Sequence, residues 1–180
     1  MPRTPVFFVM VVLITPLSAP GEEVYQFRTE EEPGAQVDTA VCEAAPFPVS
    51  LRLKAAVLMP LSLTREKMAH EKWRKMGTAV ACARLTDPSF PPGLAQDFYV
   101  HFELPQGHFS ALGTCTLVSN DVPRDGVVLA GCALRLVDYP SGKVGGMVMS
   151  TSVFNPLGLP GIHTGSRWTL LVYDEPEDGR

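Results

Sequence analysis

Tyr99, His101 and Glu103 have the spacing best suited to chemistry in this chain, with His108 beyond the next turn. Residues i and i+2 of an extended strand share a face, so His101 and Glu103 stand together. A histidine beside a carboxylate is a minimal general acid–base pair. Adding His108 would make a third ligand for a metal ion. The plainer reading is a solvated outer strand face, with Glu103 in a loose salt bridge to Arg135. His108 falls on the other side of its hairpin from His101, and the second turn carries no histidine, so neither a metal nor a cofactor is expected. Ser150, Thr151 and Ser152 lie in a run without a Gly-x-Ser-x-Gly elbow and read as polar strand residues. His163, in Gly161–Gly165, sits in a loop from which it could touch a ligand at a barrel mouth. Nothing in these groups demands catalysis, and the reading leans away from an enzyme.

The elements that must position these residues are short strands. Phe98, Val100, Phe102 and Leu104 alternate with Tyr99, His101 and Glu103, the period of a half-buried strand. Further strands are expected at Phe109–Val118, Val127–Val137, Val144–Phe154 and Arg167–Tyr173, with turn residues between them. A two-residue hairpin loop at Gln106-Gly107 would set Phe102 opposite Ala111, Val100 opposite Gly113 and Phe98 opposite Cys115. A turn centred between Pro123 and Arg124 sets Cys115 against Cys132 and Leu112 against Arg135. Upstream, Val49, Leu51 and Leu53 alternate with polar residues in a strand within Pro46–Met59. Thr64 can cap a helix through Met76 that stops at Gly77, and Thr78–Leu85 could extend it or form a strand. A long antiparallel meander leaves two raw edges, and closure removes them. The expected fold is therefore mainly β: a small antiparallel barrel, or a strongly curved meander sheet, with one packed helix.

Residues 1–21 read as a secretory signal peptide. Arg3 precedes the uncharged run Val6–Leu17, too short to span a bilayer unaided, and cleavage is expected near Gly21. Residues 22–45 read as an acidic flexible arm with one short strand at Val24–Phe27, residues 46–174 as one β-rich domain, and residues 175–180 as an acidic tail. The destination is then secreted or periplasmic, with no transmembrane segment in the mature chain. The chain has 4 cysteines, an even number that suits disulfides in an exported protein. With Cys115 opposite Cys132, the remaining pair is Cys42–Cys82. The formal charge is −4, which gives no electrostatic footprint for nucleic acid.

Phe102–Gly113 (FELPQGHFSALG) and Tyr139–Gly145 (YPSGKVG) resemble the hairpin and the later tight turn of bacterial members of the allene-oxide-cyclase/dirigent-like barrel superfamily. The likeness covers about residues 98–145, and Leu129-Ala130-Gly131-Cys132 stands where a run of glycines and threonine is usual. The resemblance implies an eight-stranded barrel around an apolar cavity and transfers no catalytic residue. Small inward residues between the aromatic strands leave room for a small apolar ligand, with Phe98, Val100, Phe102, Ala111, Gly113 and His163 as its expected contacts. The leading expectation is an exported barrel that binds such a ligand or a protein partner. Two alternatives stand beside it. One is a cyclase or isomerase that acts on an apolar substrate through Tyr99, His101 or Glu103. The other is an envelope-associated structural protein whose acidic arm recruits a basic partner.

Overall fold

Alternating inward apolar and outward polar residues in eight consecutive segments close this chain on itself. The computed structural model describes residues 21–60 and 73–176. The strands are β1 (Glu22–Glu31), β2 (Leu51–Pro60), β3 (Trp73–Ala83), β4 (Ala95–Leu104), β5 (Gly107–Ser119), β6 (Val128–Asp138), β7 (Lys143–Phe154) and β8 (Gly165–Asp174). A single short helix among the described residues, α1 (Thr39–Glu43), lies between β1 and β2. Every strand pairs antiparallel with its chain neighbours, and β1 pairs with β8, so the order β1 to β8 forms a closed barrel.

The segment expected to be an acidic arm is instead structural. Glu22–Glu31 is a full barrel strand, registered from Glu22 opposite Tyr173 to Glu30 opposite Gly165. Three acidic side chains of this segment take partners within the chain: Glu23 pairs with Lys143, Glu30 with Arg28 and Glu32 with Lys75. Phe27 and Tyr25 carry the apolar alternation that draws the strand into the wall. The stretch after it runs over the outside of the barrel. There Asp38 accepts a hydrogen bond from the Ala40 N–H and caps α1. Val37, Val41, Phe47 and Val49 then pack on Val80, Tyr99 and Leu112.

The helix expected over Thr64–Met76 lies mostly outside the described residues. Its last four positions, Trp73–Met76, begin β3. Gly77 is a mid-strand residue rather than a helix stop, because a Cβ there would fall on the Glu103 carbonyl oxygen of β4. The expected signal segment up to residue 20 and the end of the tail from residue 177 also lie outside the described residues.

The β5–β6 register is as expected, with Cys115 opposite Cys132 and Leu112 opposite Arg135. The β4–β5 register differs by two residues: Phe102 faces Phe109, Val100 faces Ala111 and Phe98 faces Gly113. The loop is Pro105-Gln106, one position earlier than expected, because proline's fixed φ suits the first central position of a tight turn. A two-residue shift leaves each side chain on its expected face, so the inward set is unchanged.

The core is weighted to one end. Phe27 and Trp168 both meet Phe102 edge-on, at centroid distances of 5.1 and 5.2 Å. Phe109, Leu134, Leu136, Val148, Leu170 and Val172 fill the rest of that half. This closed end is sealed by Lys143, which pairs with Asp174 and Glu23, while Tyr25 donates to Glu23. Two disulfides tie the fold, Cys115–Cys132 across adjacent strands and Cys42–Cys82 between α1 and β3.

Two tests follow from this arrangement. Replacing Cys42 and Cys82 with serine should lower stability by at most about 4 kcal/mol on the chain-entropy model. Hydrogen exchange should rise first over residues 37–49 while the barrel strands stay protected. The closed-end cluster sets a pH window. Lys143 and the Tyr25 hydroxyl hold the Glu23 carboxyl below the ordinary value, so its contribution is lost as pH falls through that lowered pKa. Asp174 and Glu23 raise Lys143, so its contribution is lost as pH rises through the raised value. Urea midpoints should stay level between about pH 5 and pH 9 and fall on both sides. Lys143→Met should lower that plateau and shrink the acid limb.

Candidate functional site

Inward residue size changes along the barrel, and that change creates a cavity. Toward the end carrying the β3–β4 and β7–β8 loops, the inward positions become small: Ala55, Ala79, Ala81, Ala83, Ala130 and Ser152. Large side chains on one half and alanines on the other leave a space of about 110 Å³. Trp168, seated on Phe102, is the floor, and the walls include Leu51, Leu53, Phe98 and Val100. The Cys115–Cys132 bridge forms part of the same wall.

Few polar groups reach this space, and most of them satisfy one another. The Trp168 indole N–H donates to Thr29 Oγ1 at 3.0 Å. Ser166 donates to Ser152 Oγ at 2.8 Å, and Ser150 lies 3.0 Å from the same oxygen. These serines bond to one another rather than to a base, so none is an activated nucleophile. Gln96, 5% exposed, also lines the cavity, and its amide nitrogen is buried with no hydrogen-bond partner among the described residues.

The mouth is partly covered. Phe90, in the β3–β4 loop, meets Phe154 at the end of β7 edge-on, with centroids 5.5 Å apart. Phe90 has φ of 49°, a left-handed conformation that is costly for a bulky residue. The aromatic contact across the mouth helps to hold it there. Across from it, the β7–β8 loop is pinned by Asn155, whose side-chain amide donates to the Leu159 and Ile162 carbonyls and accepts from the Leu159 N–H.

The expected site residues separate into three groups. Phe98 and Val100 line the cavity. Phe102 and Ala111 are fully buried in the packed half and do not line it. Gly113 gives no room to a ligand, because a Cβ there would fall against the Ala133 carbonyl of β6. His163 is exposed in the β7–β8 loop and borders, with Arg28 and Arg167, an outer groove that adjoins the cavity across Ser152 and Ser166 but does not place His163 in the cavity lining. Tyr99, His101 and Glu103 point out of the barrel, and none of them borders a cavity described here. Tyr99 is covered by the residues 37–49 segment.

His101 nevertheless has defined partners. Its Nδ1 lies 2.9 Å from Ser110 Oγ and its Nε2 lies 2.8 Å from Glu103 Oε1. His108, expected on the other side of the hairpin, is instead on the same outer face, because it sits directly opposite Glu103 in the β4–β5 ladder. It stacks beside His101 with ring centroids 6.4 Å apart and lies 3.7 Å from Asp138. Glu103 therefore pairs with His101, not with Arg135 as expected. A serine–histidine–carboxylate string invites comparison with nucleophilic catalysis. Ser110 is only 2% exposed, beneath the imidazole, so a substrate has no path to it. The string cross-links β4 and β5 on the outer wall. A loop at Gln106-Gly107 sets Ser110 opposite Glu103 and hides its role; with Pro105-Gln106 as the loop, Ser110 falls opposite His101. Gln96 gave no sequence signal, since one amide at a strand start is ordinary.

Comparison of the chain with protein-family models, with curated proteins and with solved structures gives no match. The cavity has to be read from its own walls. Its cover can be tested without a ligand. Phe90→Gly should relieve about 1 kcal/mol of backbone strain and lose an aromatic contact of about the same size. Stability should change little, while acrylamide quenching of Trp168 emission, measured in a Trp73→Phe background, should increase.

Proposed function

We propose that this protein is an exported barrel that shelters a small apolar ligand in its open end. The observation that carries the reading is the alanine-lined space above Trp168, in a barrel whose other half is densely packed. Interiors close-pack by default, so a hollow half needs a reason. Its volume of about 110 Å³ suits one ring or a short chain; an engineered apolar cavity of about 150 Å³ takes benzene. Larger ligands would have to extend through the mouth.

Export is supported by the uncharged run Val6–Leu17 behind Arg3 and by two disulfides, which persist in oxidising compartments. No helix among the described residues is long and apolar enough to cross a membrane. The strands are apolar inside and carry Arg52, Glu103, Arg135 and Arg167 on exposed positions. That is the reverse of the lipid-facing pattern of a membrane barrel. The resemblance to allene-oxide-cyclase/dirigent-like barrels agrees with a ligand in the lumen. A cyclase or isomerase acting through Tyr99, His101 or Glu103 has no support, because those side chains lie outside the lumen.

The test is cavity filling. Toluene should change Trp168 emission saturably in the Trp73→Phe protein. Ala81→Leu should abolish that response while raising stability by about 1 kcal/mol, the usual gain from filling a void. A protein that stays folded and shows no saturable response to toluene or to short-chain apolar probes would remove the reading.

A further inference from the structure

One charged side chain belongs to the wall of the cavity, and it stands at the rim. Tyr25, Phe27 and Thr29 face the interior from β1, and Glu31 continues their alternation. It lies directly opposite Ala55 in the β1–β2 ladder, and Ala55 belongs to the same wall. Directly opposed residues of an antiparallel pair share a face, so the Glu31 side chain is on the lumen side. Its backbone N–H donates to the Thr164 carbonyl, which fixes this end of the strand beside the β7–β8 loop. The neighbouring glutamates are engaged elsewhere, Glu30 with Arg28 and Glu32 with Lys75. The Glu31 carboxylate has no ion-pair or hydrogen-bond partner among the described residues. It is half-buried, and its oxygens are not sealed from the surface.

Building on the ligand-cavity reading, we infer that Glu31 selects an apolar ligand that ends in a protonated amine. The ligand's hydrocarbon part packs on Trp168 and the alanines, and its ammonium group meets the carboxylate at the rim. The length fits. Thr29 bonds the floor indole, and Glu31 is two residues further along the strand, a rise of about 7 Å. A single ring bearing an aminomethyl group spans that height. A neutral ligand takes water from the carboxylate without replacing it, and an anion adds repulsion. The lining contains no Lys, Arg or His to receive an anion. The formal charge of −4 also draws cations toward the protein. Glu31 is thus a specificity residue, and its neutralisation should leave binding of a pure hydrocarbon intact.

Three probes with the same ring separate the outcomes: toluene, benzylamine and benzoate, each titrated against Trp168 emission in the Trp73→Phe protein. Glu31→Gln is compared with Glu30→Gln, which removes the same charge from the outer face. Benzylamine is better hydrated than toluene, so the quantity read is the ratio of the two affinities in each protein, a double-mutant cycle. Glu31→Gln should lower the benzylamine-to-toluene ratio about fivefold, the upper range for a half-exposed ion pair, and Glu30→Gln should leave it unchanged. High salt should lower the ratio in the protein with native Glu31 and not in Glu31→Gln. Benzoate should bind the protein with native Glu31 more weakly than either other probe. In that protein the side-chain carboxyl carbon signal of Glu31 should move with benzylamine and not with toluene, a reading that does not depend on how any glutamine variant folds. An unchanged ratio with toluene still bound, and a carboxyl signal indifferent to benzylamine, would overturn the role of Glu31 and leave the cavity reading standing. An equal fall in Glu30→Gln would do the same, because the effect would then belong to overall charge. Benzoate binding as tightly as benzylamine would overturn the selection for a cation. Failure of both toluene and benzylamine to bind would overturn the inference together with the cavity reading.

Discussion

Pairing of β1 with β8 is the constraint on which the rest of the structure depends. It turns a meander with two exposed edges into a closed wall with none. Closure gives the inward faces of all eight strands a common interior, so that Phe27 from the first strand can meet Phe102 and lie beside Trp168 from the last. It also explains why an acid-rich segment belongs to the fold. The backbone of β1 supplies the ladder, Tyr25, Phe27 and Thr29 face the interior, and Glu23 and Glu30, with Glu32 just beyond the strand, pair with Lys143, Arg28 and Lys75.

Within that closed wall, side-chain volume alone decides what is solid and what is hollow. Phenylalanine, leucine and valine on one half interlock around Phe102. On the other half, alanines of β2, β3 and β6 and Ser152 stand among Leu51, Leu53, Phe98 and Leu117, so space is left above Trp168. The two disulfides act on different layers. Cys115–Cys132 ties neighbouring strands within the cavity wall, and Cys42–Cys82 fastens the outer segment over Tyr99. The outer Ser110–His101–Glu103 string stiffens the same hairpin whose inner face carries Phe98 and Val100. Polar chemistry is thus placed on the outside and an apolar space on the inside.

Much of this was legible in advance because a strand's side chains alternate with period two. The inward sets of β4, β5 and β6 and the Cys115–Cys132 contact follow from alternation and turn position alone. The two-residue difference in the β4–β5 pairing leaves the inward set unchanged and alters the cross-strand neighbours, bringing Ser110 opposite His101 and His108 opposite Glu103. β1 was harder to recognise. Its run of Glu30, Glu31 and Glu32 has the composition of a solvated tail, and only long-range pairing with β8 makes it a strand. Trp73–Met76 likewise fit a helical spacing locally but pair with β2.

By itself the sequence determined the inward and outward face of most strands, the Cys115–Cys132 contact and the charge of the surface, because each rests on neighbours along the chain or across a single turn, and Cys42–Cys82 followed as the remaining pair. The tertiary structure decided which strand closes the barrel, which inward residues surround empty space and which polar side chain among them lacks a partner. Those depend on where eight strands converge, and side chains far apart in the chain, such as Thr29, Gln96 and Trp168, come to line one cavity only after the wall has closed.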